Sequence, residues 1–177
     1  MSEASERALG MLAKALEKEE QGMAFYGKAA TATVNPLGKD IFVTLMAEEG
    51  VHIRRIKKIY DTLQGGGSWS DEWKAYAQNS EDLRRLFRER MVNVGSKVTA
   101  ETSDMEALDI ALEMEQGAVD FYEQALGKAE DPIEKEFIKL MIQEERSHFA
   151  SIADVKQYLM NPESWFSEKE HHGLDGA

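Results

Sequence analysis

Two Glu-x-x-His steps, Glu49 with His52 and Glu145 with His148, are the residues of this chain best suited to chemistry. Three residues along a helix turn through about 300° and rise about 4.5 Å, so each pair would present a carboxylate and an imidazole side by side on one face. Thirty residues before each of these glutamates stands another, Glu19 and Glu115. Four carboxylates and two imidazoles at one level of a core would repel one another and lack solvation, at a cost of several kcal/mol for each unpaired ion. Cations would remove that cost. Six donors with this carboxylate share suit two divalent ions a few Å apart, and two imidazoles favour iron or manganese over calcium or magnesium. The chain has no cysteine, which excludes disulfides, thiolate metal sites and iron–sulfur clusters.

The elements that must position these residues can be read from punctuation and apolar spacing. Asn35-Pro36 and Asp131-Pro132 each place a good N-cap before a proline, and Ser103 with Glu106 forms an S-x-x-E capping box. Helices are predicted over about 4–32, 36–63, 104–128 and 132–160. The run Gly65-Gly66-Gly67-Ser68 ends the second, and the connection 64–103 is too long for a hairpin loop. Within it Leu83, Leu86, Phe87 and Met91 predict a short helix near 80–91, while SWSDEWKAYAQ is ambiguous. Along the four long segments apolar residues recur at spacings of three and four, and all six candidate ligands fall in phase with those stripes. The expectation is an all-α, antiparallel four-helix bundle of two hairpins over 1–160, joined by one long crossover and followed by a tail, 161–177.

The halves repeat. At a fixed offset of 96 residues, ALEKEEQGMAFYGKAA from Ala15 matches ALEMEQGAVDFYEQAL from Ala111 at seven of sixteen positions. The same offset, without a gap, pairs Pro36 with Pro132, Glu49 with Glu145, and His52 with His148. An offset shared by loop and helix points to a duplicated hairpin. Glu20, Glu48 and Glu144 adjoin the candidate ligands but point about 100° away, so they are expected to be solvated or to attract cations.

Thirty-three acidic against 21 basic residues give a net charge of −12, which repels phosphate backbones and anionic membranes, so neither nucleic acid nor membrane is an expected partner. No stretch approaches the roughly 20 apolar residues of a membrane span, and a cytoplasmic location is expected.

Through EEQGMAFY and MAEEGVH in one half, MEQGAVDFY and IQEERSH in the other, and the tail NPESWFSEKEHHGLDG, the chain resembles rubrerythrin-type members of the ferritin-like superfamily. The resemblance implies a site of two iron ions, with manganese or zinc as alternatives. It makes Glu49 and Glu145 bridging ligands, Glu19 and Glu115 terminal carboxylates, and His52 and His148 terminal imidazoles, with the four glutamates at the reacting centre. Tyr26 and Tyr122, two turns beyond Glu19 and Glu115, would hydrogen-bond the ligands.

Two departures stand out. No cysteines of a rubredoxin-like domain are present, so electrons would come from an external donor such as a rubredoxin-like protein. The family's further glutamate, one turn after the third helix's ligand, is here Ala118, which brings the donor set closer to the symmetric site of bacterioferritin.

The implied activity is reduction of hydrogen peroxide or dioxygen by a non-haem di-iron centre. A ferroxidase or iron-handling role and a non-catalytic metal-binding bundle are the alternatives. A homodimer is expected. Trp165 and Phe166 are expected to anchor the tail against the bundle or a second subunit, and His171 and His172 to lie in a mobile end.

Overall fold

The computed structural model describes residues 3–76, 83–94 and 101–167. Four long helices dominate: α1 (Glu3–Ala32), α2 (Pro36–Gln64), α4 (Thr102–Leu126) and α5 (Pro132–Met160), with a shorter α3 (Leu83–Val94) in the crossover. Asn35 Oδ1 accepts from the N–H groups of Leu37 and Gly38 at 2.9 and 3.0 Å, and Asp131 Oδ1 from those of Ile133 and Glu134 at 2.7 and 3.2 Å. Each thereby satisfies donors that a helix start leaves open, just before a proline that has none to offer. At the far end of α2, Gly66 takes φ of +82°, a left-handed conformation that glycine adopts without steric cost.

The start of α4 differs from expectation. The helix begins at Thr102, so Ser103 lies inside the first turn and the expected Ser103–Glu106 box does not form the cap. Asp104 does this work: its carboxylate accepts from the Glu101 N–H at 3.3 Å and from the N–H groups of Val34 and Asn35 at 3.1 and 3.2 Å. One buried carboxylate thus closes the start of α4 and ties it to the α1–α2 turn.

Cross-links fix the directions. Lys57 pairs with Glu20, and Arg146 with Glu123, so each hairpin is antiparallel. Tyr26 donates to Glu115 and Tyr122 to Glu19, so α1 and α4 also run in opposite directions.

The core is divided. One apolar cluster collects Ala29, Ala30, Leu37 and Leu45 of the first hairpin with Leu108, Ile152 and Val155 of the second. Another collects Ala8, Leu12, Ile56 and Leu63 with Ala125, Phe137 and Met141. On every long helix the candidate ligands fall between these two groups, so they form a polar belt closed off by apolar packing at both ends. Side chains of this kind contribute about 1.5–3 kcal/mol each when fully buried, which offsets the cost of the belt.

The crossover is pinned at both clusters. A 3-10 turn, Asp71–Tyr76, sets Trp73 edge-on to Phe137 with ring centroids 5.4 Å apart. Helix α3 buries Leu83, Phe87 and Met91, while Arg84 and Arg88 both reach Asp154 of α5. After α5, residues 162–167 are helical and bring the buried Trp165 edge-on to Tyr158 at 5.5 Å, with Phe166 against both. That part of the tail lies on its own bundle. His171 and His172 lie outside the described residues.

Candidate metal centre

All six residues singled out by spacing are buried and converge on the polar belt. Helix α1 supplies Glu19, α2 supplies Glu49 and His52, α4 supplies Glu115, and α5 supplies Glu145 and His148. His52 Nδ1 lies 3.1 Å from Glu19 Oε2, 3.1 Å from Glu145 Oε1 and 3.7 Å from Glu49 Oε2. His148 Nδ1 lies 3.5 Å from Glu115 Oε2, 3.4 Å from Glu145 Oε2 and 4.0 Å from Glu49 Oε1. The two imidazoles stack with centroids 5.4 Å apart.

Tyr26 and Tyr122 bond ligands of the opposite half. Tyr26 on α1 donates to Glu115 on α4, and Tyr122 on α4 donates to Glu19 on α1 at 2.5 Å. Helical side chains lean toward their own N terminus. On antiparallel α1 and α4 a tyrosine beyond the belt and a glutamate within it therefore lean toward each other.

Burial and the mutual proximity of carboxylates and imidazoles govern the charges of the belt. Burial raises the Glu49 carboxyl well above the ordinary range, and the neighbouring Glu19 adds to the effect. Glu115 is pushed up to about 7, chiefly by burial, with His148 opposing. Burial acts on Glu145 in the same direction, but the imidazoles of His52 and His148 outweigh it and hold that carboxyl well below its usual value. Burial lowers the two histidines, yet the surrounding carboxylates more than reverse this and raise both. Protons stand where positive charge is needed.

Four buried atoms of the belt have no hydrogen-bond partner: Glu49 Oε2, Glu115 Oε2, Glu145 Oε1 and His148 Nδ1. Orphaned buried polar atoms are rare and costly, and here they share one centre. Donor atoms of Glu19, Glu49 and His52 lie within 4.8 Å of one another, as do those of Glu49, Glu115, Glu145 and His148. These are two adjoining donor sets joined through Glu49, of the chemistry that suits two divalent ions.

A family model for rubrerythrin matches residues 10–156, a span that contains every residue of the belt. The chain belongs to the rubrerythrin family. No match was found among curated proteins or among solved structures. Membership agrees with the all-α bundle, and the buried carboxylate–histidine cluster fits the di-iron site of a rubrerythrin-family protein. Among the described residues no helix is long and apolar enough to cross a membrane.

Two residues at the centre escape a reading by helical phase. Glu144, expected to be solvated or to attract cations, accepts from His52 Nε2–H at 3.1 Å and from Arg55 Nη1 at 2.5 Å. Burial raises Glu144, but the bonds from His52 and Arg55 outweigh it and leave the carboxyl below its usual range. Arg55 itself is only 2% exposed. The one available signal was that Arg55 stands three residues beyond His52, on the same face of α2.

A cavity of about 120 Å³ reaches the belt between α1 and α4, where Gly22 and Ala118, counterparts at the 96-residue offset, leave space beside Glu49 and Glu115. A Cβ on Gly22 would stand 3.4 Å from Glu49 Cδ.

Proposed function

We propose that this rubrerythrin-family protein is a non-haem di-iron oxidoreductase that reduces hydrogen peroxide or dioxygen. The observation that carries the reading is the group of orphaned donors, Glu49 Oε2, Glu115 Oε2, Glu145 Oε1 and His148 Nδ1, gathered in one buried belt. Glu19, Glu49 and His52 would hold one ion, and Glu49, Glu115, Glu145 and His148 the other. When bound in the reduced state, two iron ions supply the two electrons that reduction of a peroxide requires.

The chain's own groups have separable tasks. Tyr26 and Tyr122 orient Glu115 and Glu19 by hydrogen bonds from the opposite hairpin. The surrounding carboxylates raise His52 and His148, which would hold protons on the metal-free site that bound ions would displace. The two apolar clusters exclude bulk water from both ends. The small cavity at Gly22 and Ala118 admits a molecule of peroxide's size and leaves little room for an organic substrate.

Electrons would be supplied by an external donor such as a rubredoxin-like protein, and a homodimer is the proposed assembly. A second reading, ferroxidase or iron handling, is favoured by Ala118, because the donor set then lacks a fifth carboxylate and is symmetric across the hairpins.

The deciding experiment loads the protein anaerobically with Fe(II), counts iron per chain, and mixes it in parallel with peroxide and with air. About two irons per chain and faster oxidation by peroxide support the oxidoreductase. Oxidation by dioxygen with further uptake supports iron handling, and failure to bind iron removes both.

A further inference from the structure

The duplication makes the two halves of the belt nearly equivalent, and Arg55 breaks that equivalence. It stands in the core on α2, three residues after His52, with Nη1 2.5 Å from Glu144 Oε2. The same carboxylate oxygen lies 3.1 Å from His52 Nε2. At the 96-residue offset the counterpart of Arg55 is Ser151, whose hydroxyl donates to Ser147 O of its own helix at 2.8 Å. One half therefore has a buried guanidinium where the other has a hydroxyl turned onto its own backbone.

Burying an arginine is costly unless it is paired, and Arg55 Nε has no hydrogen-bond partner. Such a residue persists beside a site when its positioning effect offsets the cost. Its effect here follows from geometry. Glu144, fixed by Arg55, accepts a hydrogen bond from His52 Nε2–H, so Nδ1 is the nitrogen left to face Glu19, Glu49 and Glu145. A ligating histidine held this way has its ring angle set before metal arrives and keeps Nε2–H, so that Nδ1 is the nitrogen that would exchange its proton for metal.

We propose that Arg55 is a positioning residue that acts through Glu144 on His52 and makes the two metal positions inequivalent, so that the position built on Glu19, Glu49 and His52 fills first and holds its ion more tightly. The inference rests on the reading of the belt as a two-metal site. It adds an order of filling that the near-symmetric ligand set does not contain.

The test is an anaerobic titration of the full chain with Co(II), followed by its visible absorption and by calorimetry. Wild-type protein is expected to bind two ions in two resolved steps, with His52→Ala removing the tighter and His148→Ala the weaker. Arg55→Met should weaken the tighter step by about 10–100-fold and leave the weaker within about two-fold. Arg55→Lys should recover part of the loss, and Ser151→Ala should alter neither step.

Should Arg55→Met fail to fold, Glu144→Gln takes its place. It keeps an oxygen for His52 Nε2–H, loses the ion pair, and should show the same selective loss. Equal weakening of both steps, or no change in either, overturns the inference while the two-metal site stands. A wild-type protein that binds no Co(II) removes the site and the inference together.

Discussion

Tyr122 on α4 donates its hydroxyl to Glu19 Oε1 on α1 across 2.5 Å, so a ligand of one hairpin is oriented by the other. Both groups are buried, and Tyr122→Phe would leave the carboxylate oxygen without its donor. The expected cost is about 1–3 kcal/mol of stability in the metal-free protein. Metal affinity in the Glu19 half should fall about 10–100-fold. Thermal melting and stepwise metal titration measure the two effects separately, and an unchanged titration would mean that Glu19 needs no orienting partner.

The belt also sets how stability responds to pH. In the metal-free protein Glu49 and Glu115 have raised values, so the folded chain holds protons that the unfolded chain has released, and their contribution falls as pH rises above 4.5. His52 and His148 are raised too; their stabilisation is complete below 6.5 and is lost as pH climbs through the folded values. The signs agree, so metal-free protein should lose stability steadily from about pH 5 to about pH 8. Glu145 and Glu144, both lowered, give a separate loss in acid below 4.5. Glu49→Gln should flatten the neutral arm and raise stability at about pH 8 while reducing metal uptake. Denaturant melts across this range check it, and a metal-loaded sample should lack the neutral decline.

Access between α1 and α4 depends on two small residues. Ala118→Phe would fill the mouth of the cavity while keeping every donor residue, so iron stoichiometry should hold while oxidation by peroxide slows several-fold. Gly22→Ala is the mild counterpart. Its Cβ would make ordinary contact with Glu49 at 3.4 Å, and alanine in place of glycine inside a helix is worth up to about 1 kcal/mol. Stopped-flow oxidation and melting temperature report the two. An Ala118→Phe protein that reacts at the wild-type rate would show that the oxidant arrives elsewhere.

The bundle was legible because four apolar stripes, two Asx-Pro starts and a gapless repeat all state the same architecture. The convergence of Glu19, Glu49, His52, Glu115, Glu145 and His148 was legible for the same reason: phase with a stripe places a residue inward whatever its polarity. Glu144 and Arg55 were not, because helical phase describes a residue's own helix and says nothing of the neighbour that covers it. Glu144 does turn away from Glu145, yet it turns onto α2, where His52 and Arg55 wait. Asp104 is similar, since two of its three N–H partners are the backbone groups of Val34 and Asn35, about 70 residues away in sequence. The direction of the tyrosine bonds was likewise hidden, because it follows from the antiparallel setting of two helices in different halves.

Far from the belt, Arg7 grips Glu134 with two bonds of 2.9 and 2.8 Å. The glutamate side chain is 1% exposed and the arginine 28%, so removing Arg7 strands a buried carboxylate that keeps, among the described residues, the Glu130 N–H at 3.3 Å. Arg7→Ala should therefore cost about 3 kcal/mol, the lower end for a broken buried pair because Arg7 is partly solvated. Replacing both partners, Arg7→Leu with Glu134→Leu, should recover most of that loss, since no charge then remains to be solvated. Twelve residues of helix, about 18 Å, separate Arg7 from Glu19, so metal stoichiometry should be unchanged in both variants. A double variant no more stable than Arg7→Ala would mean that the pair specifies how α1 seats against α5, beyond neutralising a buried charge.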